Sequence, residues 1–177
     1  IPLGGSRGGT WMKVRNTFVI FLVSGFWHGA NWTFIIWGAL NAIYFLPLLL
    51  TNNNRKNLGV VAEGKILPSF RELFSMLTTF MLTVFAWIFF RAENVYHALS
   101  YIKGIFLNDF LSIPTYRPRY LFFLILFFLI IEWSGRENKF SIEKIYLPKI
   151  RFFFYILILF MIYTFGGGDQ TFIYFQF

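Results

Sequence analysis

The chain has 177 residues, of which 57% are hydrophobic and 23% aromatic, and its formal net charge is +8. Charged residues amount to only 14%, well below the roughly 25% of soluble domains, so the composition excludes an ordinary soluble fold and favours a chain solvated by lipid. The absence of cysteine excludes a disulfide framework, a thiol nucleophile and a Cys-ligated metal.

The chain opens on a glycine-rich stretch, Gly4-Gly5-Ser6-Arg7-Gly8-Gly9-Thr10. It lacks the Gly-Lys-Ser/Thr core of a phosphate-cradling loop, so a flexible connection is the better reading. Arg7, Lys13 and Arg15 suit interfacial anchoring more than capture of an anionic donor. Residues 17–50 follow as a long apolar run. As one straight helix they would measure about 51 Å, against a hydrocarbon core of about 30 Å. The middle reads Ser24-Gly25-Phe26-Trp27-His28-Gly29-Ala30-Asn31-Trp32, where glycines and polar groups fall together. The expectation is two helices, or one broken helix, meeting near residues 25–31. Irregular backbone at membrane depth must be buried in protein or line a cavity.

Residues 52–57 form a polar loop. Residues 73–90 carry no charge and are bracketed by Arg71 and Arg91, whose long stems can reach the headgroups; this is a membrane span. Residues 96–106 read as an amphipathic helix lying along the interface. Residues 119–133 and 150–165 are shorter apolar runs, each read as a span with a proline, Pro118 and Pro148, near the first turn. Gly166-Gly167-Gly168 ends the last run. The expected fold is therefore all-α, a polytopic transmembrane helix bundle. The basic residues lie between these runs, as in Arg55-Lys56, Arg117 to Arg119 and Arg136 to Arg151. That is the placement of interfacial anchors and not of a nucleic-acid-binding module. The lipid bilayer is the expected partner, and nucleic acid is not.

His28 is the leading candidate for chemistry. It is one of two histidines and lies in an apolar segment flanked by glycines. Ionisable groups at such depth are costly and face a cavity or a pathway, and a neutral imidazole can take a proton from an alcohol. The competing reading, a histidine that only bonds neighbouring backbone, carries about equal weight from spacing alone. Gly25 and Gly29 allow close approach of backbone or substrate, or serve helix packing as a small-xxx-small pair. Asn31 is a candidate hydrogen-bond partner near His28; Asn16 and Asn41 are weaker ones. His97, on the interfacial helix, reads as a surface residue. Asp169 and Gln170 have no feature that demands a role. Two distant histidines and scattered carboxylates give no metal-ligand spacing, and there is no Gly-x-Ser-x-Gly elbow.

Four stretches together resemble one family. Ile1-Pro2-Leu3-Gly4-Gly5-Ser6-Arg7 is similar to the loop before the core of bacterial alginate O-acetyltransferase-type proteins. Residues 24–32 are similar to their active-site segment, Trp87-Ile88-Phe89-Phe90-Arg91-Ala92 to a later motif, and Phe172-Ile173-Tyr174-Phe175-Gln176-Phe177 to their C-terminus. The order is the expected one along the whole chain. The resemblance is to the membrane-bound O-acyltransferases, in their alginate acetylation branch.

The resemblance implies a many-helix enzyme of the bacterial cytoplasmic membrane with a tunnel or funnel, in which His28 is the active-site histidine. It implies acetyl transfer from a thioester donor, acetyl-coenzyme A, toward an exported polysaccharide. A separate extracytoplasmic acetyltransferase is a potential partner, and no resident cofactor is expected. Residues 1–177 are expected to be the C-terminal part of one membrane domain whose N-terminal helices are absent. In the mechanism that follows, His28 removes a proton from an acceptor hydroxyl or holds the acyl group in transit. Trp27, Asn31 and Trp32 contact substrate, with the two indoles walling the pocket. The alternatives are a channel or transporter subunit, a structural anchor, and, within the family, D-alanyl transfer to teichoic acid.

Overall fold

A computed structural model of the chain describes residues 4–5, 8–54, 56, 58–107, 118–142 and 147–166. The flanking motifs at residues 1–3 and 172–177, together with Ser6, Arg7, Asp169 and Gln170, lie outside the described residues. The chain divides into two compact units, Ile1–Ile113 and Pro114–Phe177.

Four helices build the first unit: α1 (Gly9–Trp27), α2 (Trp32–Leu50), α3 (Phe70–Arg91) and α4 (Val95–Leu107). The long apolar run is thus two helices. The first starts at Gly9, eight residues before the apolar pattern begins, because Lys13, Arg15 and Asn16 continue a helix whose first two turns mix polar and apolar residues. Thr17 donates to the Lys13 carbonyl at 2.9 Å, and the Asn16 amide nitrogen reaches back to the Gly5 carbonyl at 2.8 Å, which anchors the start.

Glycines decide how α1 and α2 pack. A Cβ on Gly25 would collide with the carbonyl oxygen of Phe34, and a Cβ on Gly38 would collide with that of Phe21. The two contacts are reciprocal: a glycine of each helix lies under a carbonyl of the other, one turn away from its counterpart. Close backbone approach of this kind is how helices associate where lipid removes the hydrophobic incentive. Gly25 and Gly38 are buried accordingly, and Ala42 and Thr33 are fully buried beside them on α2.

α3 is the most complete span. Ser69 and Glu72 form a capping box, with the Glu72 carboxylate accepting from the Ser69 hydroxyl at 2.6 Å and from its N–H at 2.8 Å. This satisfies donors that a helix start leaves open. Within the helix, Ser75, Thr78, Thr79 and Thr83 each donate to the carbonyl four residues earlier, at 2.8–2.9 Å. Hydroxyls satisfied in this way are tolerated in a hydrocarbon layer. Arg91 in the last turn complements the helix dipole. α4 starts three residues after the α3 cap, where the Asn94 side chain accepts from the His97 N–H at 2.8 Å.

The second unit contains α5 (Arg119–Gly135) and α6 (Pro148–Phe165). Tyr120 stacks on Phe165 at 5.3 Å and Phe127 on Phe154 at 6.2 Å, which pairs the start of one helix with the end of the other. Three helices are long and apolar enough to cross a membrane: α2, α3 and α6. α5 has 17 residues, about 25 Å of helix against a core of about 30 Å, and falls just short of the span expected for it. The described residues are helices and connecting turns, and the fold is all-α.

Candidate active site at the helix break

α1 ends at Trp27 and His28 caps it. The His28 N–H donates to the Gly25 carbonyl at 3.0 Å, and the Gly29 N–H to that of Phe26 at 3.1 Å, so the last turn tightens and closes. Gly29 then takes φ 152°, a conformation open to glycine and strained for any L side chain. The two glycines that sequence pairs in one motif therefore have separate duties: Gly25 lets the helices touch, and Gly29 reverses the chain. Asn31 starts α2, with its side-chain oxygen accepting from the Thr33 N–H at 3.1 Å, an N-cap. Four residues thus turn α1 back along α2 and leave the His28 side chain at the break.

Three aromatic rings surround the imidazole. Its centroid lies 5.1 Å from Phe90 and 5.4 Å from Trp37, both edge to face, and 6.2 Å from Phe34. The neighbours also contact one another, Phe34 with Phe90 at 5.1 Å and Trp37 with Phe90 at 5.2 Å. His28 is half-buried. Among the described residues, none hydrogen-bonds to either ring nitrogen. The imidazole is gripped by apolar faces while its nitrogens stay available, which suits a group that must exchange a proton or an acyl group with an incoming substrate.

The other sequence-derived candidates are placed as follows. Trp27 and Trp32 are largely exposed, at 77% and 73%, and neither ring touches the imidazole among the described residues; Phe34, Trp37 and Phe90 occupy the positions next to it instead. Asn31 does not bond His28. Its amide nitrogen donates to the Glu93 carbonyl at 2.7 Å, tying the α1–α2 turn to the turn between α3 and α4. Asn16 and Asn41 bond backbone or nearby side chains, Asn41 to the Trp37 carbonyl at 2.8 Å. His97 is exposed and helps line a cleft of about 310 Å³ with Trp87, Arg91 and Tyr101.

Sequence reasoning missed Trp37 and Phe34 as neighbours of His28. A signal was present: Phe34, Trp37, Gly38 and Asn41 recur at three- and four-residue spacing, one face of a helix. Once the break at residues 28–31 makes α2 antiparallel to α1, that face returns past the imidazole.

A histidine caged by aromatic rings against two helices long and apolar enough to cross a membrane places the chain in the class of helical membrane proteins. Comparison with known proteins narrows it. Residues 1–85 match the sequence model of MBOAT, the membrane-bound O-acyltransferase family. The chain is 39% identical over 105 residues to the peptidoglycan O-acetyltransferase of Helicobacter pylori, a match covering 59% of this chain and 18% of that protein. It is 38% identical over 106 residues to the probable alginate O-acetylase AlgI of Pseudomonas aeruginosa, covering 60% and 18% respectively. A similar protein of the same description from Azotobacter vinelandii is 39% identical over 95 residues. The matched stretch is thus less than a fifth of the length of these relatives. No solved structure matches the chain.

Proposed function

We propose that the chain forms the histidine-bearing part of a membrane O-acyltransferase that moves acetyl groups from a thioester donor toward an exported polysaccharide. His28 acts as the base. One observation carries this reading: an imidazole at a helix break, held by three aromatic rings, with both nitrogens left for substrate. The match to the family model and the names of the relatives, O-acetyltransferase and O-acetylase, support the reaction class. The acceptors in those names, peptidoglycan and alginate, are both carbohydrate polymers, which favours a glycan hydroxyl as the ultimate acceptor.

In the proposed chemistry an imidazole nitrogen of His28 takes the proton of an acceptor hydroxyl as its oxygen attacks the thioester carbonyl. The carbon–sulfur bond then breaks and the thiol leaves with a proton. Acetyl-coenzyme A is the proposed donor. The acceptor is either the polysaccharide itself or a separate extracytoplasmic acetyltransferase that completes the transfer, and the bacterial inner membrane is the proposed site. The exposed indoles of Trp27 and Trp32 offer apolar surface to substrate on the outer side of the turn, and Asn31 contributes by holding that turn.

The test replaces His28 with Ala and with Gln in the complete protein, followed by thioester turnover in vitro and O-acetyl content of the glycan in cells. A general base contributes about 10²–10⁴-fold, and a loss of that size at normal abundance is expected. O-acetylation near the wild-type level would overturn the assignment. Solute flux without thioester turnover would favour the transporter reading.

A further inference from the structure

Imidazoles that act as bases are commonly oriented by a hydrogen bond to their second nitrogen. Among the described residues His28 has no such bond. Its fixed neighbours are instead the edges and faces of Trp37 and Phe90, at 5.4 and 5.1 Å with interplanar angles of 88° and 74°. The two rings also contact each other at 5.2 Å, so each limits the freedom of the other. Phe90 lies next to Phe89, which is buried with 6% exposure, in the last turn of α3. The Asn31–Glu93 hydrogen bond, at 2.7 Å, fixes the backbone just beyond that turn against the His28–Asn31 turn. Edge-to-face pairs have a preferred geometry because the positive ring edge meets the negative face, and that preference is directional.

We propose that Phe90 and Trp37 are positioning residues for His28: two perpendicular rings set the plane of the imidazole and aim a nitrogen at the acceptor hydroxyl, in place of a hydrogen-bonding partner. Phe90 does this from a different helix, so the end of α3 is part of the reactive centre although it carries no group that reacts. The inference rests on His28 being the base, and it is separable from it. Rotation of the ring plane changes the rate of proton transfer and leaves donor binding intact. The signature is therefore a lowered kcat at constant KM, and it depends on ring character at position 90 more than on volume.

The experiment uses the complete protein in detergent or nanodiscs, with thioester turnover normalised to monodisperse protein. Phe90→Leu keeps an apolar side chain and removes the ring; Phe90→Tyr keeps the ring. Loss of one aromatic pair is expected to lower kcat about 3- to 10-fold in Phe90→Leu, with the KM for the thioester unchanged and most of the rate regained in Phe90→Tyr. Trp37→Phe, which keeps a ring but shortens its reach, is expected to fall between wild type and Trp37→Leu. If Phe90→Leu does not accumulate, the Trp37 pair decides alone. Wild-type kcat in Phe90→Leu, or equal losses in the ring-keeping and ring-removing variants, would overturn the proposal. If His28→Ala itself keeps full turnover, the base assignment fails first, whatever the ring variants do.

Discussion

At Asn31 a single side chain holds two elements by two different atoms. Its oxygen caps α2 and its nitrogen reaches the Glu93 carbonyl. Asn31→Asp preserves the acceptor and removes the donor, whereas Asn31→Ala removes both. A cap contributes about 1 kcal/mol and an ordinary hydrogen bond about as much again. Asn31→Ala is therefore expected to lower the thermal midpoint of the complete protein about twice as far as Asn31→Asp does. Thr33, two residues on, presents the opposite case. It is fully buried and its hydroxyl has no partner among the described residues. Thr33→Val removes a buried, unsatisfied polar group at nearly constant shape, and a gain of about 1 kcal/mol is expected, read as a raised unfolding temperature. An unchanged or lower temperature would show that the hydroxyl is paired in the complete protein. The sequence marks Asn31 as important through its type and place, yet its actual duty depends on Glu93, 62 positions away, and no local pattern carries that information.

The helices were legible to different degrees, for physical reasons. α3 was plain, because an uncharged run bracketed by Arg71 and Arg91 has only one reading at bilayer thickness. The break near His28 was also legible, since glycines and polar groups interrupt an overlong apolar run. The start of α1 was not. Hydropathy follows lipid exposure, and the first two turns of α1 carry Lys13 and Arg15 while remaining helical. Nor did hydropathy reveal that Gly25 pairs with Gly38 across the hairpin, since the pattern visible along the chain was Gly25 with Gly29. The structure makes a sharp prediction for this seam. Gly38→Ala sets a methyl against the Phe21 carbonyl, where there is no room. A loss of about 1–3 kcal/mol from overpacking is expected, visible as reduced abundance and a lowered unfolding temperature. The Gly29 position should be as intolerant for another reason, its backbone angle.

For the molecule as a whole, the spans fix which loops share a side of the membrane. α3 is read as crossing once, so the loop before it and the turn after it lie on opposite faces. The sequence contains no cysteine, which makes the test direct. Cysteines placed at Lys65 and Glu93, in a background without others, are expected to react with an impermeant maleimide from opposite sides; labelling of both from one side would remove α3 as a span. The resemblance to the family was legible because the motif around His28 is contiguous in sequence, whereas the cage around it draws on two helices, α2 and α3, and could only be seen once they were folded together.

The reciprocal glycine contacts carry one more implication. Carbonyls seated over bare α-carbons leave α1 and α2 no slack to slide or part, so the hairpin moves as a single stiff piece with the imidazole mounted at its tip. Any opening of that tip would then be carried by the α3 end, which is attached there through ring contacts and one amide-to-carbonyl link.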